Sequence, residues 1–319
     1  MGTRGLEIAT QKTEILVAKG PRNINTFRLN IMGKEIIPKK DLKYLGVVFQ
    51  KNLIFSRHIE YVTKKAAEKL AATSRLMPNV GGPGYWKRRI LCGVVHSVLL
   101  YAAPVWREAV KRKQQLDKLI SLQRKAMLRV ASAYRTTSAK AVQLIAGFPP
   151  IDLMVAERCF LFKIGGRLAG NRRMAYARTL KKWQERWEMT EGKAEWTKRL
   201  IRRVDEWVTC KHRTTGYYFT QFLTGHGSFG TYTKRIGKTR SDECGSCGVE
   251  DSPEHMYATC RRWNVEREEL KFKLGHLPSV EDVIPRMLES KSSWKTLYGY
   301  ITEMEMEMEG ERAELEANA

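Results

Sequence analysis

The chain has 319 residues with 57 lysines and arginines against 34 aspartates and glutamates, a formal net charge of +23. Such an excess repels itself unless a polyanion neutralises it, and nucleic acid is the usual polyanion. No run of about 18 apolar residues occurs, which excludes a single-helix membrane span, and three of the six cysteines sit far apart in apolar or helical contexts, which argues against a disulfide framework. The charge is uneven: Ile301 to Ala319 carries seven glutamates and one arginine, net −6, which leaves +29 on the rest. The length allows two or three compact units. The opening Met1-Gly2-Thr3-Arg4-Gly5-Leu6 has no apolar signal core and no Ser or Thr at position six, so an intracellular protein, nuclear or cytoplasmic, is expected. Cys92, Cys159 and Cys210 read as reduced thiols, the first two as core positions.

In chain order, the first sixty residues have strand character. Ile15-Leu16-Val17, the alternating Phe27 to Ile31, and Tyr44 to Phe49 are short β-rich runs bounded by Gly, Pro and Asn, and Gly33 with Lys34 fits a hairpin turn between Leu29-Ile31 and Ile36-Ile37. So few strands expose a sheet edge and half a core, so this is expected to be the least stable part. From His58 the period turns helical. Ile59, Val62, Ala66, Leu70, Thr73 and Met77 share one face that ends near Pro78 and the Gly81-Gly82-Pro83-Gly84 break. A second helix, Trp86 to Ala103, is apolar on most sides through Ile90, Val94, Val95, Val98 and Leu99 and reads as central and buried. A third, Lys113 to Ala131, points Leu116, Leu119, Ile120, Met127 and Val130 inward and Lys118, Arg124, Lys125 and Arg129 outward. Thr137 or Ser138 can cap a fourth, which Gly147 and Pro149-Pro150 stop. Further helix is expected over Asp152 to Ala169 and Ala177 to Trp207. There Trp183 and Trp187, and the stripe Trp196, Leu200, Val204 and Trp207, read as core rather than as base-stacking platforms. The Glu-Met alternation from Glu303 to Glu309 reads as a frayed or disordered acidic end. The fold class is mainly α with a small N-terminal β remnant, α+β overall, divided at 1–57, 58–150, 151–222, 223–265 and 266–319.

The sharpest motif is Cys244-Gly-Ser-Cys247, seven residues, His255, four residues, Cys260. Two cysteines two residues apart form a tight knuckle, and a His and a Cys from a following helical turn complete a tetrahedron for Zn²⁺ with no position left for a catalytic water. The zinc would be structural. Arg261 and Arg262 would offset the net charge of −1 on three thiolates, an imidazole and Zn²⁺. Cys210 and His212 offer a rival pair that nothing nearby completes. Before the knuckle, Leu223-Thr-Gly-His-Gly-Ser-Phe229-Gly230, then Tyr232, Lys234 and Arg235, interleaves glycines, rings and cations. That composition lets a backbone approach phosphates while rings stack on bases, though a packed glycine-rich turn with His226 inside it is an equal reading. Glu250 and Asp251, inside the zinc loop, read as solvated.

The run Leu223 to Phe229, followed by Cys244-x2-Cys247-x7-His255-x4-Cys260-x2-Trp263, resembles the carboxy-terminal end of non-LTR retrotransposon reverse transcriptases, especially the arthropod type that inserts into ribosomal DNA. The resemblance extends backward. Lys12-Thr13-Glu14 resembles the lysine-bearing strand late in that family's palm, Leu42 to Val47 its primer-grip hairpin, Phe55-x2-His58-Ile59 the entry to its thumb, and Ala146-Gly147-x-Pro149-Pro150-Ile151 a thumb–connector junction. It covers about Gly5 to Trp263. It implies the end of a palm to residue 57, a helical thumb to 150, a helical connector to 222, the loop and zinc knuckle to 265, and C-terminal helices beyond. The family's polymerase holds two Mg²⁺ on aspartates, among them an adjacent pair. This sequence has no Asp-Asp dipeptide, and eleven residues precede Lys12. The expectation is therefore a truncated reverse transcriptase with no catalytic residue assigned and Mg²⁺ bound only in a full-length polymerase. RNA, DNA or an RNA–DNA hybrid is the expected partner, with an upstream polymerase segment as a second if the chain belongs to a longer polyprotein. No membrane is involved. The contacts assigned to nucleic acid are Lys12, Lys43, Tyr44, Leu45 and Gly46, the cations Lys111, Arg112, Lys113, Arg124, Lys125 and Arg129, the loop residues His226, Phe229, Tyr232, Lys234 and Arg235, and Arg261 and Arg262. The alternative is a domesticated stand-alone zinc-knuckle nucleic-acid-binding protein; a zinc-stabilised protein adaptor fits the +29 body less well.

Overall fold

Two short hairpins precede an otherwise helical chain in the computed structural model, which describes residues 9–20, 27–166 and 168–317. The opening six residues, with the Gly5 where the resemblance begins, lie outside the described residues. Strands β1 (Leu29–Ile31) and β2 (Lys34–Ile36) pair antiparallel with Ile31 opposite Lys34. Strands β3 (Asp41–Tyr44) and β4 (Val47–Gln50) do the same with Tyr44 opposite Val47. Both two-residue turns, Met32-Gly33 and Leu45-Gly46, have positive φ at each position, the geometry that matches the twist of a tight hairpin. Ile15 to Val17 is not a strand, which corrects the reading above. Lys39 N–H donates to Ile15 O and Asn52 N–H to Ala18 O, both at 2.8 Å, and isolated bonds do not make a ladder. Lys12 accordingly ends a single 3₁₀ turn, Thr10–Lys12, instead of riding on a palm-like strand.

Helices α1 (Ser56–Ser74), α2 (Tyr85–Leu99) and α4 (Lys113–Ala131) pack on one another, with the short α3 (Ala103–Trp106) between α2 and α4. The stripe Ile59, Val62, Ala66 and Leu70 is buried, as its spacing requires. Helix α2 departs from expectation. It buries Tyr85, Cys92, Val95 and Leu99, but Trp86, Ile90 and Val94 stand exposed on its far side, so it is a one-sided outer helix and not a central one. Ser138 caps α5 (Ala139–Ala146) by accepting from Ala141 N at 3.2 Å, and Gly147 ends it at φ +68°. The carbonyls at that end, all on buried residues, meet side chains from distant elements. Arg213, fully buried, donates to Ile145 O at 2.9 Å, Arg89 to Gly147 O at 2.9 Å, and Trp207 Nε1 to Leu144 O at 2.8 Å. A side chain at 147 would lie 2.5 Å from Arg89 Nη1 and 2.6 Å from Arg213 Nη2, so the glycine serves both φ and close approach.

Helices α6 (Ile151–Ile164) and α7 (Ala169–Glu188) form a hairpin, followed by α8 (Glu195–Leu200) and α9 (Val204–Thr209). The single helix expected from Ala177 to Trp207 is thus broken twice. Gly192 adopts φ +75°, and Ile201 is pulled out of helical geometry, its carbonyl accepting from Trp187 Nε1 at 2.7 Å. Trp183, Trp187 and Trp207 are all core. The chain continues through α10 (Tyr217–Thr224), α11 (Gly230–Arg235), α12 (Pro253–Ala258), α13 (Asn264–Leu274), α14 (Val283–Glu289) and α15 (Lys291–Ala317). Helix α15 corrects the expectation of a frayed acidic tail. Trp294, Leu297, Ile301, Met304 and Met308 recur at steps of three and four, all buried, and the helix packs along α10, α13 and α14. Of the methionines that alternate with glutamate, Met304 and Met308 continue an apolar stripe begun a turn and more earlier, while Met306 is exposed. One hydrophobic core runs from Val47 to Met308. Among the described residues, no single helix is long and apolar enough to cross a membrane.

Candidate metal centre and nucleic-acid surface

The knuckle is built by backbone bonds. Cys244 N–H donates to Val249 O at 2.7 Å and Gly248 N–H to Cys244 O at 2.8 Å, with Gly248 at φ +69° closing the turn and a Glu243–Glu250 bridge at its base. Ser252 then caps α12, its hydroxyl accepting from His255 N at 3.2 Å, and Pro253 fills the first turn. This places His255 on the inner face of α12 and Cys260 just past its end. The four ligand atoms all lie within 4.8 Å of one another. Cys260 Sγ is 3.8 Å from both Cys244 Sγ and Cys247 Sγ. Sulfurs about 2.3 Å from a central Zn²⁺ stand about 3.8 Å apart along a tetrahedral edge, so the spacing fits the ion.

The imidazole is oriented for the same task. His255 Nδ1 lies 3.1 Å from Thr259 Oγ1, whereas Nε2 is buried with no hydrogen-bond partner. A buried nitrogen without a partner, held in place by a bond at the other ring position, is how a ligating histidine is prepared. Burial lowers the His255 pKa, which keeps the ring neutral and its lone pair available. The sulfurs differ: the Arg261 amide, 3.3 Å from Cys247 Sγ, draws that thiol down, while burial pushes Cys260 up to about 12. A divalent cation would hold all three as thiolates. Cys210 and His212, the rival pair, are not among the clustered ligands; His212 packs edge-on to the Trp294 ring at 5.9 Å.

The glycine-rich loop is a footing for the knuckle. Gly225 (φ +62°) ends α10, and a side chain at Gly230 would lie 2.9 Å from Asp242 O and 3.0 Å from Asp251 Cβ. Gly230 N–H donates to Asp251 Oδ2 at 2.7 Å. Asp251 is therefore half-buried and bonded, its pKa raised by burial, and is not the solvated acid expected from its place in a loop. His226, Phe229 and Tyr232 are buried, with the first and last packed edge to face at 4.7 Å. In this fold their rings cannot reach a base, which corrects the stacking role assigned above in favour of the packed-turn reading. Burial takes His226 to about 4 and keeps it neutral.

The assigned cations fall into three groups. Several already have partners: Lys111 with Glu108 at 2.6 Å, Lys234 with Asp242 at 2.8 Å, and Arg262 with Glu311 and the Trp263 ring. Arg124 is half-buried, its Nε donating to Thr137 O at 2.9 Å, so it does not point outward as its helical position suggested. Lys12, Arg112, Lys113, Lys125, Arg129, Arg235 and Arg261 are exposed. Lys125 and Arg129, with Arg135, rim a groove of about 690 Å³ between α1 and α4 whose floor is Ala67, Leu70, Ala71, Leu122 and Leu128. At the β3–β4 turn Tyr44 and Leu45 are exposed, Lys43 donates to Tyr61 OH at 2.8 Å, and Tyr101 OH donates to Leu45 O at 3.0 Å and rests against Gly46. Arg213, Tyr257 and Arg267 went unnoticed in the sequence. Arg267 anchors the knuckle by donating to Cys260 O, and a lone arginine in a charged helix gives no sign of that.

The chain is 27% identical over 280 residues to a putative 115 kDa protein in type-1 retrotransposable element R1DM of Drosophila melanogaster, covering 79% of this chain and 26% of the relative. It is 28% identical over 276 residues to the retrovirus-related Pol polyprotein from type-1 retrotransposable element R1 4 of Nasonia vitripennis, covering 79% of this chain and 67% of the relative. The corresponding R1 polyprotein of Bradysia coprophila is 26% identical over 306 residues, 86% of this chain and 28% of the relative. The chain thus spans about a quarter of the length of the Drosophila and Bradysia relatives and two thirds of the Nasonia one. No family model matches, and no solved structure matches. Over about four fifths of its length the chain is thus similar to the Pol polyproteins of R1-type non-LTR retrotransposable elements.

Proposed function

We propose that this chain is the nucleic-acid-handling, zinc-stabilised part of an R1-type Pol polyprotein, and that the groove between α1 and α4 seats the backbone of a template–primer duplex. The observation that carries the reading is the rim of that groove. Lys125 and Arg129 are exposed cations four residues apart on one helix, with no acidic partner among the described residues, above an apolar floor. Phosphates supply the missing partner, and the floor accommodates sugar edges of the minor groove. The knuckle contributes shape: Zn²⁺ on Cys244, Cys247, His255 and Cys260 fixes the exposed loop against the body without chemistry of its own.

The test is anisotropy of a labelled RNA–DNA duplex. Binding is expected to fall steeply with salt, at about 0.9 of a log–log unit for each phosphate contact. The Lys125→Glu/Arg129→Glu double variant should weaken unrelated sequences alike and lower the slope by about 1.8. A salt-independent affinity, or a double variant that binds as the parent does, overturns the reading. The sequence holds no Asp-Asp pair, so these residues by themselves are expected to bind a template–primer without extending it; Mg²⁺-dependent extension by this chain would relocate the active site.

A further inference from the structure

A second cleft, at the other end of α4, has the chemistry of a strand-binding site. It encloses about 450 Å³ between α6, α7 and the 3₁₀ turn Arg107–Lys111. That is room for a ligand of nucleotide size and not for a duplex. Its floor is apolar, with Val155, Phe160 and Ala175. Two of its three acids are satisfied already, and the third, Glu157, is half-buried in the α6 wall. Glu108 is shared by Arg107 and Lys111 at 3.4 and 2.6 Å, and Asp152 is gripped at both oxygens by Arg186 at 2.9 and 2.6 Å.

Three cations on the rim are in a different state. Lys163, Arg178 and Lys182 are exposed and make no ion pair among the described residues, and the Arg178 guanidinium carbon sits over the Phe160 ring at 4.9 Å from its centroid. Unpaired cations converging on a hollow with an aromatic wall are what a nucleotide needs: phosphate to the cations, base to the ring and the apolar floor. Cys159, expected to be core, is only half-buried because it forms part of this wall.

Placement then suggests which strand. The cleft is lined up to Lys111, two residues before α4 begins, whereas the α1–α4 groove takes Leu122 to Arg129 of that helix. Sixteen residues from Lys113 to Arg129 at 1.5 Å per residue separate the two by about 24 Å. A single strand leaving a duplex seated in the groove could follow exposed Lys113 and Arg112 to the cleft. We infer that the α6–α7 cleft holds a single-stranded extension of the duplex, with Lys163, Arg178 and Lys182 on its phosphates and Phe160 against a base. This rests on the groove reading and adds a separate site to it.

The experiment compares a blunt RNA–DNA duplex with the same duplex carrying an eight-nucleotide single-stranded RNA overhang, on the full chain. The overhang should tighten binding roughly five- to tenfold at moderate salt and steepen the slope by about 0.7 per added single-strand contact. Lys163→Glu/Lys182→Glu should abolish that increment and leave blunt-duplex affinity unchanged; both side chains are exposed, so thermal melting should match the parent. An increment that survives the double variant overturns the inference. So does competition by AMP or inorganic phosphate as effective as that of the overhang, which would make the cleft a small-phosphate site. Failure of the groove reading is distinguishable, because it appears as blunt-duplex binding insensitive to Lys125→Glu/Arg129→Glu.

Discussion

The two arms of the zinc knuckle bring ligands to the same point by opposite means. Cys244 and Cys247 sit on a loop whose neighbours Gly245, Ser246, Gly248 and Val249 are exposed, and which is shaped by a few turn bonds and one isolated bridge. His255 and Cys260 sit on α12, whose Met256 and Tyr257, with the following Trp263, belong to the main core. Tyr257 OH donates to Pro278 O at 2.9 Å, and Tyr300 OH donates to Tyr257 O at 3.3 Å. The helical arm is held by packing in the core; the loop arm is shaped by its own turn bonds and is only partly buried against that core, so a bound metal would be its strongest tie to the other two ligands. With one half of the ligand set held by the core, a bound ion would need to order only the other half.

The largest expected effect separates the arms outright. Cys247→Ser should reduce zinc content from one equivalent to almost none. Hydrogen exchange should then show amides from Asp242 to Glu250 losing protection while those of α12 keep theirs. If α12 exchanges as fast as the loop, the helical arm is not anchored by the core and the comparison fails. Next in size is the converse change. Tyr257→Ala removes a fully buried ring and should cost about 3–5 kcal/mol in urea denaturation. Zinc should still bind, because the loop arm does not depend on that ring; loss of zinc at neutral pH in a folded Tyr257→Ala protein would mean that the arms are one unit.

The loop arm and the ligand set were legible in the sequence because metal chemistry restricts both residue type and spacing. Helices α1 and α4 were legible for a similar reason, since an apolar stripe at steps of three and four has one structural solution. What was not legible depends on partners distant in sequence. Ile90 and Val94 looked buried because they are apolar, yet the bundle presents only three helices there and α2 keeps an outer face. Phe229 and Tyr232 looked like a stacking surface because rings beside cations suggest one. Phe229 is instead fully buried, and Tyr232 packs against Tyr134 at 5.7 Å and His226 at 4.7 Å with its hydroxyl 3.0 Å from Thr136 Oγ1, partners far away in sequence or hidden in the turn itself. Arg213 gave no signal at all: a buried guanidinium over the Tyr85 and Trp207 rings, at 4.8 and 4.7 Å, becomes visible only once three separate elements have met.

The smallest effect concerns what holds the junction between the arms. Asp251 lies there, bonded to Gly230 N–H, and Glu305 of α15 is buried against it with neither carboxylate oxygen hydrogen-bonded. The charged groups that face Glu305 are Glu309, Asp251 and Arg312; Glu309 itself accepts from Tyr217 OH at 2.8 Å. Burial raises the Glu305 pKa well above the ordinary carboxylate range, the two acids raise it further, and Arg312 opposes them. A carboxyl with a raised folded-state pKa keeps its proton after the unfolded chain has lost it. Folding therefore takes up a proton in that window, and stability falls as pH rises, by about 1.4 kcal/mol per pH unit for one proton. The contribution is fully present below the unfolded value of about 4.3 and is lost once pH passes the folded one. Glu305→Gln cannot ionise and should escape this loss. Titration of the metal ligands affects both proteins equally and cancels in their difference. In urea denaturation Glu305→Gln should gain on the parent as pH rises from 5 to 8, with the gain shrinking toward pH 5. A difference that stays level across that range would mean that α15 does not bury a protonated carboxyl against the knuckle, and that the packed arm ends at Trp263.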